Sequence, residues 1–221
     1  MLIRNSWMSD NQSFGDDYPN NLLLTDAIRR FEIQRTSSLE GEDVLVDGVP
    51  ERVVVQNHTN PLNQSKYDKK ISFAISSPAH SGSLLVFHGK TWLVTSKMFD
   101  KKAYKVGSVL ECNQTLTIQT GSTQVLIGTD AMNRPVYDTH PTYTSYPCVV
   151  DSKVQNPYDN LNAAISLPEG SISVIIPYTS QVAENMQFEM WNYDYKIIGI
   201  NNQYILNNEG PMIITAQRVV K

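Results

Sequence analysis

Two stretches of this chain share one grammar. Residues 87–104 read "FHGKTWLVTSKMFDKKAY", and residues 191–205 read "WNYDYKIIGINNQYI". Each runs from a turn through an aromatic residue and alternating aliphatics into a polar loop and a tyrosine. Flanking segments repeat the correspondence. Ile71 of "ISFAIS" and Ile172 of "ISVIIP" are 101 positions apart, Trp92 and Tyr195 are 103 apart, and Tyr104 and Tyr204 are 100 apart. The near-constant offset reads as an internal duplication. Short alternating strands separated by turn signals favour antiparallel barrels or sandwiches; a parallel sheet would need helices between its strands. The expected fold is therefore mainly β: two tandem small antiparallel β-barrel or sandwich modules, with one short N-terminal helix. On this reading Trp92 and Tyr195 are core residues at their hairpins, not ligand stackers.

The rest of the chain fills in around these units. Residues 1–20 are polar and irregular and read as a flexible arm carrying Trp7, Phe14 and Tyr18. Those aromatics could dock on a neighbour, stay loose or pack on their own domain. "NNLLLTDAIRRFEIQRTSS" predicts a helix over about 21–34, with Thr25 as N-cap and Leu24, Ala27, Ile28 and Phe31 as its apolar stripe. Residues 21–38 are thus helix and linker, 39–121 a first β module and 122–221 a second. "EDVLVDGVPERVVVQN" predicts a hairpin over Asp47-Gly48. "KISFAISS" predicts a strand with Ile71, Phe73 and Ile75 on one face. "SLLVFHGKTWLVTSK" predicts a hairpin at His88-Gly89, and "TQVLIGTDAMNRPVYDTH" one over Asp130–Asn133. "MQFEMWNYDYKIIGI" predicts a further hairpin and "PMIITAQRVV" the closing strand.

Composition narrows the function. Over 221 residues the net charge is −4, which argues against a dedicated nucleic-acid binder, whose affinity comes mainly from Lys and Arg on phosphates. No apolar run approaches the 18–20 residues of a membrane helix. The opening "MLIRNSWMSDNQSFGDDYPN" lacks the apolar stretch of a signal peptide, so a protein made in the cytoplasm is expected. His58, His80, His88 and His140 form no metal-binding spacing, and no nucleophile elbow or phosphate loop occurs. No metal, cofactor or catalytic residue is assigned, and the chain is not read as an enzyme. Cys112 and Cys148 lie in no CxxC; they read as buried reduced thiols, with a disulfide as the lesser alternative. The basic positions Lys66, Lys69 and Lys70 sit beside Asn63 and Tyr67 in "QNHTNPLNQSKYDKK" (56–70), a long polar loop suited to contacting a neighbour or plugging a channel.

The run "GSLLVFHGKTWLVTSKMFDKKAYKVGSVLECNQTLTIQ" (82–119) resembles a family of small virion proteins of tailed phages infecting Gram-positive bacteria. The shared cadence lies in Trp92-Leu93-Val94, Tyr104-Lys105-Val106-Gly107 and Cys112-Asn113, followed by a short hairpin and a second β unit. Relatives often carry Trp in the strand after the Cys-Asn pair, where this chain has "QTLTIQ". The resemblance, over most of residues 20–221, implies a head–tail connector protein: a homo-oligomeric ring in the neck of the virion, at a stopper (head-closure) or adaptor position. Its implied partners are the portal and tail proteins, with packaged DNA in the lumen contacted without sequence specificity. The competing reading is a receptor- or carbohydrate-binding β protein of the tail tip. Its best stretch is "THPTYTSYP", with Tyr143 and Tyr146.

Overall fold

A computed structural model describes residues 18–57, 68–151, 153–154 and 165–219. Helix α1 (Tyr18–Ser37) leads into β1 (Gly41–Val46), β2 (Val49–Asn57), β3 (Asp68–Ala74), β4 (Leu84–Phe87), β5 (Lys90–Val94), β6 (Phe99–Asp100) and β7 (Tyr104–Glu111). There follow β8 (Gln114–Thr129), β9 (Pro135–Asp151), β10 (Lys153–Val154), β11 (Ile165–Ser166), β12 (Ser171–Pro177), β13 (Gln187–Met190), β14 (Tyr193–Asn201) and β15 (Pro211–Arg218).

The strands form two barrel-like sheets in tandem. In the first, antiparallel ladders run β1-β2-β3-β7-β5-β4, and the β1–β4 pairing closes the ring. In the second, the order is β8-β9-β12-β15-β14-β13, and β13 comes back against β8. The two orders correspond strand for strand: β1 with β8, β2 with β9, β3 with β12, β4 with β13, β5 with β14, β7 with β15.

The matching hairpins explain the repeated grammar. His88-Gly89 and Trp191-Asn192 each place two consecutive residues at positive φ, as a two-residue hairpin turn requires. Three residues beyond each turn stands a buried aromatic. Trp92 stacks on Phe87 with ring centroids 5.0 Å apart, and Tyr195 stacks on Phe188 at 5.7 Å. The third anchor does not correspond. Tyr104 opens β7, whereas Tyr204 lies in the loop before β15.

Alternation sets each core. Val44, Val46, Val53, Ile71, Phe73, Leu85, Trp92 and Val109 fill the first barrel. Leu116, Ile118, Cys148, Val174, Ile176, Ile197, Met212 and Ile214 fill the second. Ile75 does not join Ile71 and Phe73: β3 ends at Ala74, and Ile75 is exposed beyond it. The sheets change at Cys112-Asn113, so residue 121 falls inside β8. Strand β8 continues through the polar "TGST", with a bulge at Thr120.

A third apolar cluster joins the barrels. Leu93 of β5 packs against Ile175 of β12 and Ile213 of β15, with Leu84, Cys112, Val149 and Tyr204 around them. Backbones also meet closely here: a Cβ on Gly82, at φ +89°, would stand 2.6 Å from the carbonyl oxygen of Gly210. Asn113 pins the crossover. Its Nδ2 donates to the carbonyl of Val150 at 2.9 Å, and its Oδ1 accepts from the Val150 amide at 2.8 Å. The side chain thus substitutes for one residue of ladder at the start of β8.

Helix α1 is longer than its predicted span, and Thr25 lies inside it instead of capping it. Pro19 in the first turn is compatible with an earlier start, since its missing amide would have no intrahelical partner there. The C-terminal half docks on β1 and β2: Phe31 is buried and stacks on Tyr104 at 4.9 Å, and the Arg52 Nε donates to the Arg35 carbonyl at 2.8 Å. Along the predicted stripe, Leu24 and Ile28 are half-buried and Ala27 is exposed, so the N-terminal half stands off the barrel. No helix among the described residues is long and apolar enough to cross a membrane.

Candidate functional site

The feature that the barrels do not explain is the β8–β9 hairpin. Its strands are 16 and 17 residues long, far more than a small barrel needs. At the base Leu116, Ile118, Cys148 and Val150 belong to the core. From Gly121 to Tyr143 every residue but Asp130 is exposed, and the ladder continues to Thr129 opposite Pro135. At about 3.3 Å per residue, the ribbon stands about 30 Å clear of its barrel.

Local chemistry shapes the tip. Asp130 accepts from the backbone amides of Met132 and Arg134 and pairs with the Arg134 guanidinium at 2.8 Å. The Arg134 amide is the main cause that holds the Asp130 carboxyl below its usual range. Asn133 takes the left-handed conformation that closes the turn. Bulges at Thr120 and Ile127 interrupt the register and add twist. Around this polar turn gather Val125, Leu126, Ile127, Met132, Val136 and Tyr137. Ile127 is 63% exposed and Met132 76%, and nothing among the described residues covers them. Between Gln119 and Thr144 the only formal charges are Asp130, Arg134 and Asp138.

The predicted interface residues are dispersed. Trp7, Phe14, Asn63, Lys66 and Tyr67 lie outside the described residues, as does most of the 56–70 loop. Tyr18 opens α1. Lys69 is committed to its own barrel: its Nζ donates to Asn57 at 3.3 Å and lies 5.6 Å from the Trp92 ring centre. Lys70 is exposed beside it on a groove shared with Glu40, Glu42 and His88. "THPTYTSYP" is strand β9, so Tyr143 and Tyr146, three residues apart, face opposite sides. Tyr143 points outward. Tyr146 packs on the second core, and its hydroxyl donates to the Gln181 side chain at 2.5 Å. Tyr146 and Tyr178, with Thr144, Thr179, Gln181 and Asn208, line a concavity of about 640 Å³.

His140 also lies in β9, 3.5 Å from Asp138. His88 is at its hairpin turn, 3.2 Å from Glu42. Among the described residues no three His, Cys, Asp or Glu side chains are grouped to hold a metal ion. Cys112 and Cys148 are free thiols. Burial, and secondarily Glu111, pushes Cys112 up to about 12. Burial, and secondarily Cys112, does the same for Cys148.

The YomX N-terminal domain model matches residues 16–111, and the YomX C-terminal domain model matches residues 103–217. The chain belongs to the YomX family. The two matches overlap over residues 103–111, which hold β7, the last strand of the first barrel; the first match otherwise covers the helix and the first barrel, and the second covers the second barrel. The chain is 23% identical to the SPbeta prophage-derived uncharacterized protein YomX of Bacillus subtilis (strain 168), over 96% of this chain and 98% of that protein. The phage connection expected from the sequence thus holds for this relative of a Gram-positive host. This hairpin's turn is legible in the sequence but its projection is not; the run Val125-Leu126-Ile127 departs from strand alternation without marking where the core ends.

Proposed function

We propose that the chain is a structural protein of a tailed phage virion, assembling as a ring in the head–tail connector at a stopper or adaptor position between portal and tail. The observation that carries this reading is the β8–β9 ribbon, which presents an apolar tip that the described residues leave uncovered. Monomeric proteins rarely expose such clusters without a partner. Two fused barrels supply the separate surfaces that a ring subunit needs for the rings above and below and for two neighbours. The prophage origin printed for the Bacillus subtilis relative supports a phage setting. On this reading the protein is made in the bacterial host cytoplasm, acts in the neck of the virion and performs no catalysis. Any contact with DNA in the lumen is not sequence-specific.

Cryo-electron microscopy of intact particles, with focused reconstruction of the portal vertex, tests the proposal. The expected result is density for this chain as a ring between portal and tail. Its presence only at a tail tip would support the second reading, a receptor- or carbohydrate-binding protein. That reading draws on the concavity at Tyr146 and Tyr178, where aromatic rings meet hydroxyl and amide side chains. Absence from all particles would reject both.

A further inference from the structure

The first barrel carries an outward apolar patch that its core does not use. Leu45 stands opposite Pro50 of β2 and Val86 of β4 in the ladder register, so the three form one contiguous surface. Leu45 is 42% exposed and Val86 40%. With Asp43, Glu51 and Arg52 they line a shallow concavity of about 310 Å³. Asp43 and Arg52 are paired across its side at 3.0 Å.

From these surfaces we infer that the β8–β9 tip of one copy docks on the Leu45–Pro50–Val86 patch of the first barrel of a second copy. This rests on the connector reading for its setting. The occupant follows from chemistry and charge. The tip offers apolar residues around one Asp–Arg pair, and the patch offers apolar residues beside another. Placed together, Arg134 can face Asp43 while Asp130 faces Arg52. Neither surface carries an excess of charge suited to DNA or to an anionic membrane. Donor and acceptor sit on different modules of the same chain, so a ring of the kind the connector reading requires would use the contact head-to-tail. Repeated, it closes a ring or extends a filament according to the rotation per step.

The test uses two full-length chains carrying different tags, one with Leu126→Cys and one with Val86→Cys, mixed under mild oxidation. The native thiols are buried or partly buried in the barrels, and single-tag controls measure their background. The expected product is a mixed disulfide between the two tags, in excess over Leu126→Cys self-pairs. Dominant self-pairs, or no mixed product at the highest soluble concentration, overturn the inference. Sedimentation of Leu126→Asp is the second measurement. Its self-association should weaken roughly tenfold or more, because a charge replaces an apolar anchor; unchanged association overturns the docking. The outcomes separate from those of the connector reading. A neck ring in which the ribbon rests on a different protein overturns the docking and leaves the connector standing. Mixed disulfides from a chain absent from particles support the docking and remove the connector.

Discussion

At the scale of single residues, the crossover between barrels carries the sharpest consequences. Cys112 and Cys148 flank the joint, and burial raises both thiols from 9.0 to about 12. In the unfolded chain each ionises near its ordinary value. Above that pH the unfolded state therefore loses protons that the folded state retains, and unfolding is favoured. The stabilisation is complete below pH 9 and is lost as pH rises toward 12, at about 1.4 kcal/mol per pH unit for each thiol. Urea unfolding of Cys148→Ala should accordingly show a shallower fall with pH above 9 than the parent chain, although its stability at neutral pH is lower. Parallel curves would show that the thiol is not the cause. The sequence reading of Cys112 as a buried thiol is refined by the structure: it sits just past β7, partly buried between two barrels. Sequence periodicity sees one strand at a time and has no term for a neighbouring module.

Among the elements, the hairpins were legible and the ribbon was not. Asp47-Gly48, His88-Gly89 and Asp130–Asn133 advertise their turns through residues that tolerate positive φ, whatever surrounds them. How far a hairpin continues beyond its barrel depends on where the core ends, which no local pattern encodes. For the same reason Tyr143 and Tyr146 were grouped by proximity in sequence, although a strand sends them to opposite faces. The exposed ribbon adds little to the stability of the barrel. Replacing residues 122–141 with a two-residue Asn-Gly turn should leave the melting temperature within about 3 °C of the parent, since the removed side chains are not in a core. The same deletion should abolish self-association in sedimentation. A loss of more than about 10 °C would mean that the ribbon supports the fold.

For the whole molecule, the joint at Leu93, Ile175 and Ile213 makes two barrels into one body. Calorimetry should show a single unfolding transition for the parent chain. Leu93→Ala, which empties a fully buried site, should cost about 2–4 kcal/mol. Leu93→Asp should separate the melt into two transitions, because it places a carboxylate in the apolar seam. Two transitions in the parent chain would refute the rigid joint. Fold class and the presence of two β modules could be read from residue order alone, because strand period and turn chemistry are local: each depends on residues within a few positions of one another. The matched aromatics Trp92 and Tyr195 sit where that logic put them, on corresponding strands. Ring closure through β1–β4, the seam between modules, the length of the β8–β9 ribbon and the outward patch at Leu45 depend on contacts between residues far apart in the chain. Those contacts arise only when the barrels close and pack, so they became visible in three dimensions and not before.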